Sequence, residues 1–235
     1  MENKNSVLLY HVYLMNNWES ITIKLLKNVP HDDIYVNINI DLINVWKVLH
    51  AMNWLKRHKK VKKVFFTINS KTEGEVLGFK KLCSAIQNKN YSLLTYMHGK
   101  GVTKPNNKNI QDWVELMRYF LIERMDLCLE AFTKGYKLYG INMGQYKEGE
   151  EKYGPYRFSS FHFSGNFVTV NLKLLNNEFF STPVDKDYFG VESFWGKLCS
   201  VNDVCCPHIS GENIKNHYLE PYPVNLYKKY NEETV

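Results

Sequence analysis

The sequence has no apolar run that could cross a bilayer. Val7 to Met15 is interrupted by His11 and falls far short of the roughly 20 residues a spanning helix needs. The same run does not read as a secretory leader, because Asn3, Lys4 and Asn5 precede only a short apolar stretch. Both absences lead to the expectation of a cytoplasmic protein without a transmembrane segment. Cysteine is sparse and odd in number: Cys83, Cys128, Cys199, Cys205 and Cys206. No C-x-x-C pair occurs, and Cys205-Cys206 with His208 is only a faint metal-like spacing, so free and mostly buried thiols in a reducing compartment are expected rather than zinc. The G-x-x-x-x-G-K-[ST] spacing of a P-loop is missing, as is any Ser/His/Asp or Cys/His order for nucleophilic catalysis. There is no internal repeat, low-complexity linker or break in composition. The 235 residues therefore read as one domain, residues 1–235, with a core over about 6–200 and an irregular tail over about 206–235.

Charge is local rather than general. The chain holds 30 Lys and Arg against 24 Asp and Glu, for a net charge of +6. Lys56-Arg57-His58-Lys59-Lys60-Val61-Lys62-Lys63 accounts for six of the cations and contains no acid, so the remainder is balanced. A nucleic-acid binder is usually basic more widely, so nucleic-acid binding through this stretch stands as an alternative and not as the expected partnership. The stretch itself reads as a solvated helix end before a strand, with a polyanion or membrane surface as the alternative contact. Aromatic residues make up 14% of the chain, enough to build a ring-rich core or to line a pocket for a flat or sugar-like ligand.

Periodicity gives alternating strands and helices. Strands are expected at Val7–Met15, Ile34–Ile40, Val61–Asn69, Tyr91–Met97, Tyr136–Asn142 and Phe161–Val170. In the second of these, Ile34, Val36, Ile38 and Ile40 fall on one side and Tyr35, Asn37 and Asn39 on the other. Helices are expected at Trp18–Asn28, Ile43–Lys56 and Glu73–Gln87, the last with Thr72 as N-cap. The clearest helix is Ile110–Phe132, where Ile110, Trp113, Val114, Met117, Leu121, Met125, Cys128 and Phe132 recur at spacings of three and four. It should begin after Asn107 or Asn109 and stop before Gly135. Shorter helices are expected from about Leu172 and over Glu192–Leu198. Such alternation implies a mostly parallel sheet flanked by helices, with ligands beyond the carboxyl ends of the strands. Functional residues should then lie just after Met15, Ile40, Asn69 and Met97.

Four segments have the chemistry to act there. His98-Gly99-Lys100-Gly101 leaves the fourth strand as a glycine-bracketed turn. Its backbone can approach a ligand closely, and Lys100 and His98 offer donors to a diphosphate. Asp41, with Asn39, ends the second strand where a ribose or base contact is reasonable. In Phe161-His162-Phe163-Ser164-Gly165-Asn166-Phe167, a continuous strand would put His162, Ser164 and Asn166 on one face, three polar groups in a row suited to a sugar, with Gly165 permitting close approach. Asp185-Lys186-Asp187 is a D-x-D, a pattern that can hold a hard cation against a diphosphate. Glu192 follows at the expected start of a helix, where the dipole favours an ionised carboxylate, either a simple helix-terminal acid or a general base.

Taken together, Tyr96-Met97-His98-Gly99-Lys100-Gly101, then Trp113 on the long helix, then Gly140-Ile141-Asn142, then His162 to Phe167, resemble the motif order of small GT-A-type glycosyltransferases of large DNA viruses, with similar segments in bacterial surface-polysaccharide enzymes. The resemblance covers about residues 90–200. It implies a GT-A-like α/β fold, a nucleoside-diphosphate-sugar donor, a glycan or glycoprotein acceptor and, for a viral chain, a place in the host cytoplasm. With it, donor contacts are expected at His98, Gly99, Lys100 and Gly101, joined by Asp41 from its place at the end of the second strand, sugar or acceptor contacts at His162, Ser164, Gly165 and Asn166, and Glu192 as the base of an inverting transfer. The chain departs from the family at Val168, where a Trp is usual, and in having no D-x-D after the fourth strand. A divalent cation, Mn or Mg, is expected to assist, with Asp187 as its first candidate ligand.

Overall fold

A seven-stranded sheet organises the chain, in the order β3-β2-β1-β4-β8-β5-β9. The computed structural model describes residues 5–41, 45–146, 159–211 and 214–228. The first four strands are β1 (Ser6–Tyr13), β2 (Asp33–Ile40), β3 (Val61–Ile68) and β4 (Leu93–His98), all mutually parallel. Beyond them β8 (Val168–Asn171) runs antiparallel to β4 and to β5 (Leu138–Gly140), and β9 (Val204–Cys205) is parallel to β5. One strand of seven is thus reversed, and the fold is α/β with a mostly parallel sheet, as the alternation predicts.

Helices cover both faces. On one lie α1 (Trp18–Leu26), α2 (Val48–Lys56), α4 (Lys108–Arg118) and α5 (Met125–Thr133), whose apolar residues join Leu8, Tyr10, Val36 and Ile38 in one core. On the other lie α3 (Val76–Ile86), α6 (Leu172–Ser181) and α7 (Gly190–Phe194), packed on Leu9, Leu94, Tyr96 and Val170. With both faces covered, inner strands are buried on both sides. On β2, Asn37 and Asn39 are accordingly buried. Asn37 donates to Thr67 of β3 (2.8 Å) and Asn39 to Asn69 just after it (2.8 Å).

The long helix is found with a break. Asn107 caps α4 by accepting from the Ile110 amide, and Gly135 ends α5 in a left-handed conformation (φ +92°). Between them Tyr119–Glu123 widens to a π-helical turn. Beside it the buried Arg118 donates to the carbonyls of Lys24 (2.8 Å) and Lys27 (2.5 Å), the last carbonyls of α1, and pairs with Glu123. An amphipathic period cannot reveal a widened turn that still returns the apolar face to the core.

One expectation fails more plainly. Phe161–Val170 is not one strand: β7 (Phe161–Phe163) pairs with β6 (Met143–Gln145) in a separate small sheet, and the chain turns before β8. The reason is a pair of left-handed residues, Gly165 (φ +95°) and Asn166 (φ +57°), which no extended strand accommodates. The described part of the tail is irregular yet packed. Tyr222 and Tyr227 join the first core, and His217 is buried beside Ser210 and Asn142. Among the described residues no helix is long and apolar enough to cross a membrane.

Candidate functional site

The sheet reverses its winding between β1 and β4. The chain passes outward through β1, β2 and β3 with α1 and α2 on one face, then returns over the other face through α3 to β4. A crevice opens at the carboxyl ends of strands at such a switch. Here it is a cavity of about 340 Å³, walled by Tyr13 after β1, Asn39 and Asn69 at the ends of β2 and β3, Glu75 before α3, and the His98–Gly101 turn after β4. Tyr188 and Tyr218 close its sides. A larger cavity of about 420 Å³ lies at the opposite end of the sheet, among His31, Leu93, Met125 and Phe132. The first holds more converging polar groups, and it sits where the topology expects a ligand.

Lys100 has the geometry of an anion-binding residue held ready. Its Nζ lies 4.2 Å from the Trp113 ring centre and donates to the Tyr218 hydroxyl at 3.2 Å. Lys104 approaches the same Tyr218 ring at 4.4 Å. Lys100 lines the cavity, and Lys104, which lines the adjoining cleft, shares the Tyr218 ring with it through a second cation–π contact. The loop backbone is partly committed: the Gly99 amide donates to His11 and the Lys100 amide to His98 (2.8 and 2.7 Å). Gly101 is left-handed (φ +91°), and a methyl group there would stand 2.9 Å from Ile110. Lys100 Nζ is therefore the chief donor the turn presents.

His98 lines the cavity, yet both of its nitrogens face protein acceptors. Nδ1 meets a Glu75 carboxylate oxygen and Nε2 donates to the Gly165 carbonyl at 3.0 Å. Only the doubly protonated ring donates to both. Glu75 also accepts from the Tyr96 hydroxyl (2.7 Å) and from the Asn166 amide (3.3 Å). Burial alone would raise its carboxyl, but the charge and hydrogen bond of His98, then His11 and the Tyr96 hydroxyl, outweigh it and hold the group down at about 2. Glu75 is the residue that sequence reasoning missed. Its signal was present, since an acid just before a helix at the end of the third strand occupies one of the four places where function was expected.

Asn166 is not a ligand-facing residue. It is 1% exposed, donates to Glu75 and accepts from Trp195 Nε1 at 2.6 Å. His162 lies in the other sheet, its ring stacked on Tyr146 and its Nδ1 2.9 Å from the Tyr146 hydroxyl. Burial lowers the His162 imidazole to about 4, keeping it neutral at ordinary pH. Ser164, half-buried, donates its backbone amide to Asn142 at the turn. The expected row of His162, Ser164 and Asn166 on one face is therefore corrected: the chain turns at Gly165 and Asn166, so that Asn166 meets Glu75 and Trp195 while His162 meets Tyr146. Gly165 is needed for packing, because a methyl group there would meet Met117 and, at 3.1 Å, Trp113.

The remaining candidates are spread around this centre. Asp41 accepts a hydrogen bond from Tyr13, which lines the cavity. Asp185 pairs with Lys197, and Asp187 accepts from the Phe189 amide (2.9 Å), on either side of the cavity-lining Tyr188. Among the described residues no three of His, Cys, Asp and Glu gather as a metal site. Glu192 stands in the first turn of α7, half-buried, and is not on the cavity wall. Its negative charge helps push up both the Tyr96 and Tyr146 phenols, behind the larger effect of burial, which puts it between the Glu75 cluster and the β6–β7 sheet.

No protein-family model matches the chain, and no curated protein matches it.

Proposed function

We propose that the protein is a glycosyltransferase that moves a sugar from a nucleoside-diphosphate donor to a hydroxyl of a glycan. One observation carries this: a nucleotide-sized crevice at the switch point between β1 and β4 presents Lys100, seated on Trp113 and Tyr218, where a diphosphate would lie. The sheet order, with β8 alone reversed, is compatible with the GT-A-like fold that the sequence resemblance implies.

In this mechanism the nucleoside lies toward Tyr13, Asn39 and Asn69, and the diphosphate exchanges the Tyr218 hydroxyl on Lys100 for a phosphate oxygen. Lys104, beside the Tyr218 ring just outside the cavity, adds a second positive charge nearby. Glu75 and His98 neutralise each other and fix the Gly165 turn, so they position the site rather than react. A carboxylate held at about 2 is a weak proton acceptor, which argues against Glu75 as the base. Glu192, on the β6–β7 side, takes the acceptor proton as the hydroxyl attacks the anomeric carbon from the face opposite the departing diphosphate. The C1–O bond to phosphate breaks, the new glycosidic bond forms, and the configuration inverts. The D-x-D carboxylates do not fit a self-sufficient metal site, since Asp185 is engaged by Lys197 and Asp187 by the Phe189 amide. The countercharge is therefore assigned to Lys100 and Lys104.

Thermal melting against a panel of nucleotide sugars tests the binding step, because a ligand held only by the folded chain raises its stability by mass action. One nucleoside diphosphate sugar should raise Tm more than its nucleoside, with and without EDTA. A panel with no shift would count against the proposal, and a shift lost in EDTA would restore a metal with Asp187 as its first ligand.

A further inference from the structure

The chain between Val45 and Thr72 contains no Asp or Glu and eight Lys or Arg. The structure folds this stretch into two neighbouring antiparallel elements, α2 and the edge strand β3. α2 is divided along its length. The outward face before and within α2 presents Val45, Trp46 and Leu49 first, with Trp46 and Leu49 each 74% exposed, and Lys56 and Arg57 last. Along β3, Lys62 and Lys63 lie toward α3, Lys63 opposite Tyr35 and Lys62 paired with Asp33, and Phe66 and Ile68 follow, the latter 79% exposed. Because α2 and β3 run in opposite directions, apolar groups gather beside the carboxyl ends of the strands and the α2 cations beside the amino ends.

The register puts both apolar groups of β3 on the α2 side. Phe66 pairs with Ile38 and Ile68 with Ile40, and those isoleucines pack into the core that α2 covers. Lys47 lies 5.2 Å from the Trp46 ring and Lys81 5.8 Å from the Phe66 ring, so cations border the apolar half as well. Ile68 immediately precedes Asn69 and Ser70, which line the cavity. The surface therefore stands at the rim of the site.

We infer that this face docks the protein on an anionic phospholipid membrane. Large apolar side chains with a Trp, bordered by Lys47 and Lys81, match the interfacial zone of a bilayer, and the cations at the end of α2 match its negative headgroups. A second copy is a poorer match. A two-fold contact sets one patch against itself, and would bring the cations of both copies together. The inference stands apart from the transferase proposal, since it concerns where the protein sits and not what the cavity holds.

Sedimentation with vesicles tests it, using phosphatidylcholine alone and phosphatidylcholine with about one-third phosphatidylserine. The full chain should pellet with the anionic vesicles only, and less as salt is raised. Leu49→Ser with Ile68→Ser should cut the bound fraction about tenfold or more by removing the inserted groups. Lys56→Glu with Arg57→Glu should do the same without touching an apolar residue, which keeps the test decisive if the apolar variant folds poorly. Failure of the wild-type chain to bind anionic vesicles, or binding that survives both double variants, overturns the inference. So does a dimer in analytical ultracentrifugation that the apolar variant abolishes while no vesicle binding is seen.

Discussion

Lys100 and Glu75 both carry charge into the same crevice, and their surroundings give them opposite fates. Lys100 is bordered by two aromatic rings and one hydroxyl, contacts a phosphate can replace. Lys100→Ala should therefore weaken nucleoside-diphosphate binding by about 1.5–3 kcal/mol, the scale of a charge-assisted hydrogen bond, while leaving nucleoside binding nearly unchanged. Calorimetry with both ligands checks this, and equal weakening of the two would remove Lys100 from the phosphate site. Glu75 is bonded on both oxygens to residues of two segments, Tyr96 and His98 of β4 and Asn166 of the turn before β8, and only a quarter of its side chain is exposed. Glu75→Gln should destabilise the fold by about 1–3 kcal/mol, a broken buried ion pair discounted for the water that reaches it. Denaturant unfolding reads this directly, and an unchanged midpoint would show that the pair does not hold the turn.

The elements show what a sequence can and cannot disclose. The parallel strands and their crossover helices were legible because the apolar period changes from strand to helix, and the α4–α5 helix also has recognisable ends at Asn107 and Gly135. The His98–Gly101 turn was legible for the same reason, two glycines breaking a buried strand. The Phe161–Val170 segment was misread because alternation is a property of a straight strand, and a single left-handed Gly-Asn step cancels it. Glu75 was passed over because its importance lies in Tyr96, His98 and Asn166, partners up to 91 positions away. The turn itself is testable. Gly165→Ala places a methyl group against Met117 and Trp113 at a φ of +95°, which should cost about 2–4 kcal/mol through overpacking and backbone strain. A variant that melts with the wild-type chain would mean that the turn tolerates another conformation.

Across the whole molecule, stability should depend on pH in one direction. Burial lowers the imidazoles of His11, His162 and His217 to about 4 and that of His31 to about 3. Each therefore binds fewer protons when folded than when unfolded, where a histidine titrates near about 6.5. Their contribution is complete above that pH and is lost as pH falls toward 4 and 3. Glu75 acts in the same sense at lower pH, its contribution being lost as the medium falls from the ordinary carboxylate range through about 2. A series of melts should give a nearly flat Tm between about pH 7 and about pH 8 and a steady fall below about pH 6. A Tm that rises on acidification to about pH 5 would contradict neutral burial of these rings.

The central claim is that the crevice holds an activated sugar and that Glu192 enables its transfer. Release of nucleoside diphosphate from a sugar donor, followed for the wild-type chain and Glu192→Gln with a glycan acceptor present, tests it most directly. The wild-type chain should turn over one donor and give a product of inverted anomeric configuration. Glu192→Gln should bind that donor with nearly the same affinity and lose about 10² to 10⁴ in kcat. Near-normal turnover by a folded Glu192→Gln chain, a product that retains the donor's configuration, or a wild-type chain that turns over no nucleotide sugar would contradict the account.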